Sequence, residues 1–213
     1  MKLAVLGTGE VGSNLASKLV ELGNQVMIGS RTSKKAQDLA KRLGKGASGG
    51  TFSQAAAFGE VVFNCTHGDS SLEILKSAGV HLDGKVLVDV ANPLKFSNNK
   101  MSLTVSNTDS LGEQIQRAHP KAKVVKALNT MNYKIMTNPG ILSEDTDVFI
   151  CGNDSAAKAK VTEILRWFGW KRVIDLGGID RARGMEAVLL LWLSLAQKYG
   201  FAPFNYKIVR QSA

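Results

Sequence analysis

Six residues near the start, Gly7-Thr8-Gly9-Glu10-Val11-Gly12, follow the apolar run Leu3-Ala4-Val5-Leu6. They match G-x-G-x-x-G, the fingerprint of a strand-to-helix turn that cradles a pyrophosphate. Gly7 allows the tight turn, Gly9 lets backbone amides close on the phosphates, and Gly12 lets helix and strand pack closely. The phosphates then meet free N–H groups and the positive end of the helix that Glu10 and Val11 begin. In an NAD binder, an Asp or Glu about 20 residues further on grips the ribose 2′-hydroxyl. Here that stretch reads Gly29-Ser30-Arg31-Thr32-Ser33, then Lys34 and Lys35, and the next acid is Asp38. A hydroxyl, a guanidinium and two ammonium groups suit a 2′-phosphate that a carboxylate would repel. The pattern predicts NADP(H) rather than NAD(H).

In an open parallel sheet, ligands lie off the carboxyl ends of the strands, where the strand order reverses. Three loops are expected there: Thr66-His67-Gly68, Asn92-Pro93-Leu94 and Asn129-Thr130-Met131. Their Asn side chains and backbone groups can hold a nicotinamide carboxamide, with Pro93 stiffening one wall. The same residue types also make ordinary turns. His67 is the candidate general acid, able either to donate a proton or only to hydrogen-bond. Lys126 is an odd charge inside Val124-Val125-Lys126-Ala127-Leu128; it either reaches the crevice or snorkels to an edge. The sequence offers no Ser-His-Asp set, no clustered Cys/His metal ligands and no Walker loop, so hydrolase and metalloenzyme readings lack a basis.

These residues need a scaffold of alternating strands and helices. Apolar, β-branched runs at 2–6, 25–29, 61–64, 86–90, 123–127, 147–151 and 172–176 read as strands. The expected fold is α/β, a Rossmann-type doubly wound and mostly parallel sheet. Residues 1–178 would form the NADP-binding domain, and 179–213 a C-terminal helical segment for packing or dimerisation. The first helix, about Val11 to Leu22, stacks Val11, Leu15, Leu19 and Leu22 on one face. Ser70-x-x-Glu73 and Ser110-x-x-Glu113 read as capping boxes opening two helices. Ser53 to Ala57 makes a short crossover helix at best, and about Ser155 to Phe168 a longer one. The last helix, about Asp180 to Tyr199, carries Leu189, Leu190, Leu191, Trp192, Leu193 and Leu195. A helix apolar all round is buried, here against a second subunit or centrally within one, and the exposed-patch argument favours a homodimer.

The chain has 213 residues, 44% of them hydrophobic, and a net charge of +9. Arg31 to Gly46 holds six basic residues and one acid. Ala36, Leu39, Ala40 and Leu43 form one apolar stripe there, which turns Lys34, Lys35, Lys41 and Arg42 to solvent. No aromatic residues interleave with them, so a solvated helix face beside a 2′-phosphate is favoured over nucleic-acid binding. The apolar run Ala187 to Ala196 is too short to span a membrane, which takes about 20 residues. Met1-Lys2 leads straight into the first strand, without room for a signal peptide. Cys65 and Cys151 lie in apparent strands and read as buried hydrophobes in a reducing cytoplasm.

The ordered set of Gly7-Thr8-Gly9 to Gly12, Gly29-Ser30-Arg31, Asp89-Val90-Ala91-Asn92-Pro93-Leu94, Lys126-Ala127-Leu128-Asn129-Thr130, Phe149-Ile150-Cys151-Gly152 and Ala182-Arg183-Gly184 resembles one family. It is similar to bacterial members of the NADPH-dependent deazaflavin (coenzyme F420) reductase-like family. The cytosolic domains of six-transmembrane ferric reductases are more distant relatives. The resemblance implies hydride exchange between NADPH and a deazaflavin or flavin, and a homodimer. It carries cofactor contacts to Thr8, Gly9, Val11, Ser30, Arg31 and Lys35, and to Thr66, Ala91 and Asn92. Transfer between stacked rings needs a dry slot more than acid–base help. A second ring would lie against Leu94, Met131 and Met136. Reduction of a small imine or carbonyl, with His67 as proton donor, is an alternative. So is a non-catalytic NADPH sensor.

Overall fold

A computed structural model describes residues 1–97 and 100–211. Six parallel strands form one continuous run: β1 (Lys2–Leu6), β2 (Gln25–Ser30), β3 (Ala47–Thr51), β4 (Val61–Asn64), β5 (Val86–Asp89) and, after two intervening strands in the chain, β8 (Lys123–Ala127). A small antiparallel hairpin, β6 (Leu94–Ser97) and β7 (Lys100–Leu103), stands apart from them. Strands β9 (Asp147–Gly152) and β10 (Arg172–Asp175) complete the large sheet in the order β10-β9-β8-β5-β4-β1-β2-β3. The order reverses between β1 and β4, and Leu6 pairs with both Gly29 and Asn64, so these carboxyl ends lie level at the crevice. The Rossmann-type α/β architecture is therefore present.

One face of the sheet is covered by α1 (Glu10–Glu21), α2 (Ser33–Leu43), the short α6 (Tyr133–Met136) and α7 (Ser155–Trp167). Leu15, Leu19, Leu39, Val161 and Leu165 of these helices pack on Val5, Ile28 and Val125. The other face carries α3 (Phe52–Phe58), α4 (Gly68–Ala78), α5 (Leu111–Ala118) and the first turns of α8 (Ala182–Lys198), with Phe52, Leu75, Ile115 and Met185 in the second core layer. The chain after α8 returns across the sheet edge. There the Asp147 N–H donates to the Tyr206 carbonyl at 3.0 Å, and Trp192 stacks on Phe204 with centroids 5.5 Å apart.

Several sequence expectations are corrected. Strand β9 runs antiparallel to β8, a direction the sequence left open: the segment between them carries only a four-residue helix and a 3-10 turn, and no long crossover helix returns the chain to the other end of the sheet. The hairpin and β3 carry too weak an alternation to stand out in the sequence, β3 being Ala-Ser-Gly-Gly-Thr. Ser70 is not a cap: α4 starts at Gly68 with His67 as its N-cap, placing Ser70 within the first turn. Ser110 does cap α5, accepting the Glu113 N–H at 3.1 Å, but the Glu113 carboxylate turns to the Ser110 hydroxyl and to Arg183 instead of completing the box. Around the short α3 the box is complete, between Thr51 and Gln54. Leu22 lies outside the apolar face of α1, 39% exposed at the helix end. Lys126 neither reaches the crevice nor snorkels: it is fully buried and ion-paired to Asp89 and Glu186, each at 2.8 Å. Finally, α8 is not buried all round, since Leu190 and Leu191 are 45% and 53% exposed.

Candidate functional site

The turn after β1 is built by close backbone approach. Gly7 has φ +125°, a left-handed conformation that a side chain resists, and a Cβ on it would meet the Cys65 carbonyl oxygen at 2.6 Å. A Cβ on Gly12 would stand 2.2 Å from the Gly7 oxygen, so α1 can start this close to the turn only without one. A Cβ on Gly9 would meet nothing within 4 Å, leaving open space. The Gly9 backbone begins α1 without a side-chain cap, so its first N–H groups remain unspent.

Two cavities meet over this turn. The first, about 310 Å³, is lined by Gly7, Thr8, Gly9, Ser30, Arg31, Lys35, Thr66 and His67, with Phe52 and Ile74 as an apolar wall. Arg31 and Lys35 are exposed at its rim. The exposed Asp38 pairs with Lys34 at 3.3 Å, so the rim stays basic on balance. Ser30 is buried, its hydroxyl donating to the Thr32 carbonyl at 2.5 Å to close the turn. The second cavity, about 450 Å³, lies past Glu10 and Val11 and is bounded by Val90, Ala91, Asn92 and Asn129. Its apolar lining is Leu94, Met131, Met136, Leu189, Trp192 and Phe201. Cys65, Thr66 and His67 border both cavities and so join them.

The polar groups of the second cavity are held from behind. The Asn92 amide donates to the Asn129 carbonyl at 2.8 Å, and the Asn129 amide donates to Asn92 Oδ1 and to the Met185 carbonyl at 3.0 and 2.9 Å. Asn129 Oδ1 stays buried with no partner among the described residues, an acceptor left unspent; Trp192 Nε1 is likewise an unspent donor. Leu128, just before Asn129, is buried with φ +64°, an uncommon backbone for a leucine. Such local strain is tolerated where surrounding structure fixes a functional loop. Thr66 is oriented by Asn64 Oδ1, which accepts its hydroxyl at 2.7 Å. Burial, then the neighbouring Asp89 charge, pushes the Cys65 thiol well up from its ordinary range.

The structure gathers most of the sequence-derived candidates around these two cavities: Gly7, Thr8, Gly9, Glu10, Val11, Ser30, Arg31, Lys35, Thr66, His67, Ala91, Asn92 and Asn129. Gly12 stands beneath the turn and lines neither cavity. Pro93 is also set back. It packs against the head of α4, where a Cβ on Gly68 would meet the Pro93 Cα at 2.9 Å, and its carbonyl accepts the Thr104 N–H at 2.7 Å. Cys65 is a wall residue of both cavities and not simply core. Sequence reasoning missed Tyr133, Leu189, Trp192 and Phe201. The signal was a tryptophan on a helix whose leucines already sufficed for packing. His67 is exposed, with no side-chain hydrogen bond and no carboxylate to orient it among the described residues.

The sequence profile of the NADP oxidoreductases that depend on coenzyme F420 matches residues 2–93. Over 93% of its length the chain is 30% identical to the F420-dependent NADP reductase of Methanocaldococcus jannaschii, with 94% of that protein covered. Over 89% of its length it is also 30% identical to the metalloreductase STEAP3 of Rattus norvegicus, of which it spans 36%. A crystal structure of a protein from Arthrobacter sp. FB24, provisionally assigned as an F420-dependent NADP reductase, superposes with a TM-score of 0.94 at 47% identity, covering 99% of this chain and 100% of that one.

Proposed function

The chain belongs to the F420-dependent NADP oxidoreductase family, and from that premise we propose that it exchanges hydride between NADPH and a planar ring acceptor, a deazaflavin or flavin. The observation that carries this reading is the junction of two unlike chambers at the β1–β4 reversal, one basic and glycine-lined, the other mostly apolar. The first fits a dinucleotide: Gly7 and Gly12 keep side chains out of the turn, and the uncapped N–H groups of α1 would meet the phosphate oxygens. Arg31 and Lys35 would hold the 2′-phosphate, with Ser30 fixing the turn beneath them. The unspent Asn129 Oδ1 supports a carboxamide N–H at the junction. The second chamber offers an apolar wall of Leu94, Met131, Met136, Leu189 and Trp192 on which a planar ring would displace water.

NADPH, when bound, supplies the hydride; the protein's part is to hold two ring planes together in a dry slot, where orientation supplies most of the acceleration. No general acid is required of the chain, which agrees with a His67 that nothing orients. A second reading, reduction of a small imine or carbonyl, draws on that imidazole bordering both chambers. Turnover measurements separate the readings. NADPH oxidation is expected with at least one of F420, riboflavin 5′-phosphate and, given the metalloreductase relative, a flavin-coupled ferric chelate. Tight NADPH binding with no turnover across that panel would favour a nucleotide sensor. His67→Ala is expected to lower kcat less than about tenfold, below the usual contribution of a general acid; loss of all turnover would favour the small-substrate reaction.

A further inference from the structure

We infer that Lys126, clasped by Asp89 and Glu186, is a positioning residue that fixes the distance between the Ala91–Asn92 loop and helix α8 across the acceptor chamber. This rests on the hydride-transfer reading, in which those two elements face one another over the acceptor ring. All three ammonium hydrogens are committed: to Asp89 Oδ2 at 2.8 Å, to the Ala91 carbonyl at 2.6 Å and to Glu186 Oε1 at 2.8 Å. Behind them the geometry is fixed again. Asp89 Oδ1 accepts the Asn64 amide at 2.9 Å, and Asn64 Oδ1 holds Thr66. Glu186 accepts the Leu111 and Gly112 N–H groups at 2.9 and 3.0 Å, at the head of α5. One buried chain of polar contacts thus runs from Thr66 beneath Ala91 to α8.

A second tie adjoins it, since the Met185 carbonyl accepts the Asn129 amide. Met185, Leu189 and Trp192 stand at i, i+4 and i+7, one stripe of α8, and the latter two line the acceptor chamber. Pinning residues 185 and 186 therefore sets the height and rotation of that wall. A buried trio of charges is a poor way to gain stability, because apolar residues of similar volume usually serve as well or better. What apolar packing would not do is bind a loop carbonyl, a strand-end carboxylate and a helix side chain to one atom. With Ala91 pinned by its carbonyl, the loop cannot drift outward without also moving α8.

The test is the pair variant Lys126→Met/Glu186→Gln, which removes one charge of each sign and leaves Asp89 Oδ1 accepting the Asn64 amide at 2.9 Å and the Ala91 N–H at 3.3 Å. The acceptor KM is expected to rise at least about tenfold while NADPH affinity stays within about threefold, a split that simple destabilisation does not produce. Amide exchange should quicken in residues 182–192 and at Ala91, with β1 and β4 still protected. Wild-type KM and wild-type exchange would overturn the assignment, as would NADPH affinity falling in step with acceptor affinity. Should the pair variant fail to fold, Glu186→Gln alone is held to the same criteria. If the unmodified protein turns over no ring acceptor, the hydride-transfer reading fails, and exchange in α8 then decides by itself whether the trio holds the wall.

Discussion

The adenosine end of the proposed nucleotide site depends on a few exposed charges whose meaning comes from an absence. Arg31 makes no ion pair among the described residues, and Asp38 is occupied by Lys34, so nothing competes with a phosphate. Arg31→Ala should weaken NADPH by about 1.5–3 kcal/mol, the range for hydrogen bonds to charged groups, and leave NADH almost unchanged; titration with both nucleotides checks this, and equal losses would contradict a 2′-phosphate role. Cys65 presents the opposite case, a group whose environment silences it. Because burial and the Asp89 charge favour the neutral thiol, little thiolate forms even at mildly alkaline pH. Alkylation of Cys65 at pH 8 should be far slower than that of a free thiol, and NADPH should slow it further; rapid labelling of the nucleotide-bound protein would place the nucleotide elsewhere. Arg31 was legible because its pattern is local. Lys126 was legible only as an anomaly, since its partners Asp89 and Glu186 lie 37 and 60 positions away and no period in the sequence connects them.

Among the elements, α1 and the turn before it were readable from spacing alone, because close packing of strand, turn and helix requires glycine at fixed positions. Gly12→Ala should therefore act differently from Arg31→Ala. Its methyl would meet the Gly7 carbonyl, backbone against backbone, so α1 must shift at a cost of about 1–3 kcal/mol, typical of overpacking. NADPH and NADH should weaken together and the melting temperature should fall; unchanged binding of both would mean that the turn does not carry the pyrophosphate. Elements that depend on tertiary contacts were less legible. The sequence places a strand at 147–151 but not its direction, since nothing in the composition of 128–146 marks whether the chain crosses back along the sheet. It suggests a cap at Ser70 by residue type, whereas the crevice loop decides where α4 begins, and His67 takes the cap position without a side-chain bond. The second chamber was half visible for a related reason. Leu94, Met131 and Met136 sit beside recognisable loops, while Leu189, Trp192 and Phe201 arrive from the far end of the chain.

At the scale of the whole molecule, the exposed face of α8 is the feature a single chain leaves unexplained. Its inner stripe of Met185, Leu189 and Ala196 is buried, yet Leu190 and Leu191 stand largely open, and Tyr199 and Phe201 continue the apolar surface beyond the helix. Continuous apolar patches on a soluble surface mark contact sites more often than chance exposure does. A two-fold pairing of α8 against its own copy would bury the same leucines on both chains. Such pairing would also brace the helix that carries Leu189 and Trp192, so association and acceptor binding should rise together. Sedimentation is expected to give twice the 22.9 kDa chain mass, and Leu190→Glu/Leu191→Glu should shift it toward the single-chain value. NADPH affinity should be unaffected, since Arg31 and the glycine turn lie in the other chamber, while acceptor KM should increase. A wild-type protein that sediments at 22.9 kDa across its working concentrations would remove the dimer and leave the open leucines to a different partner.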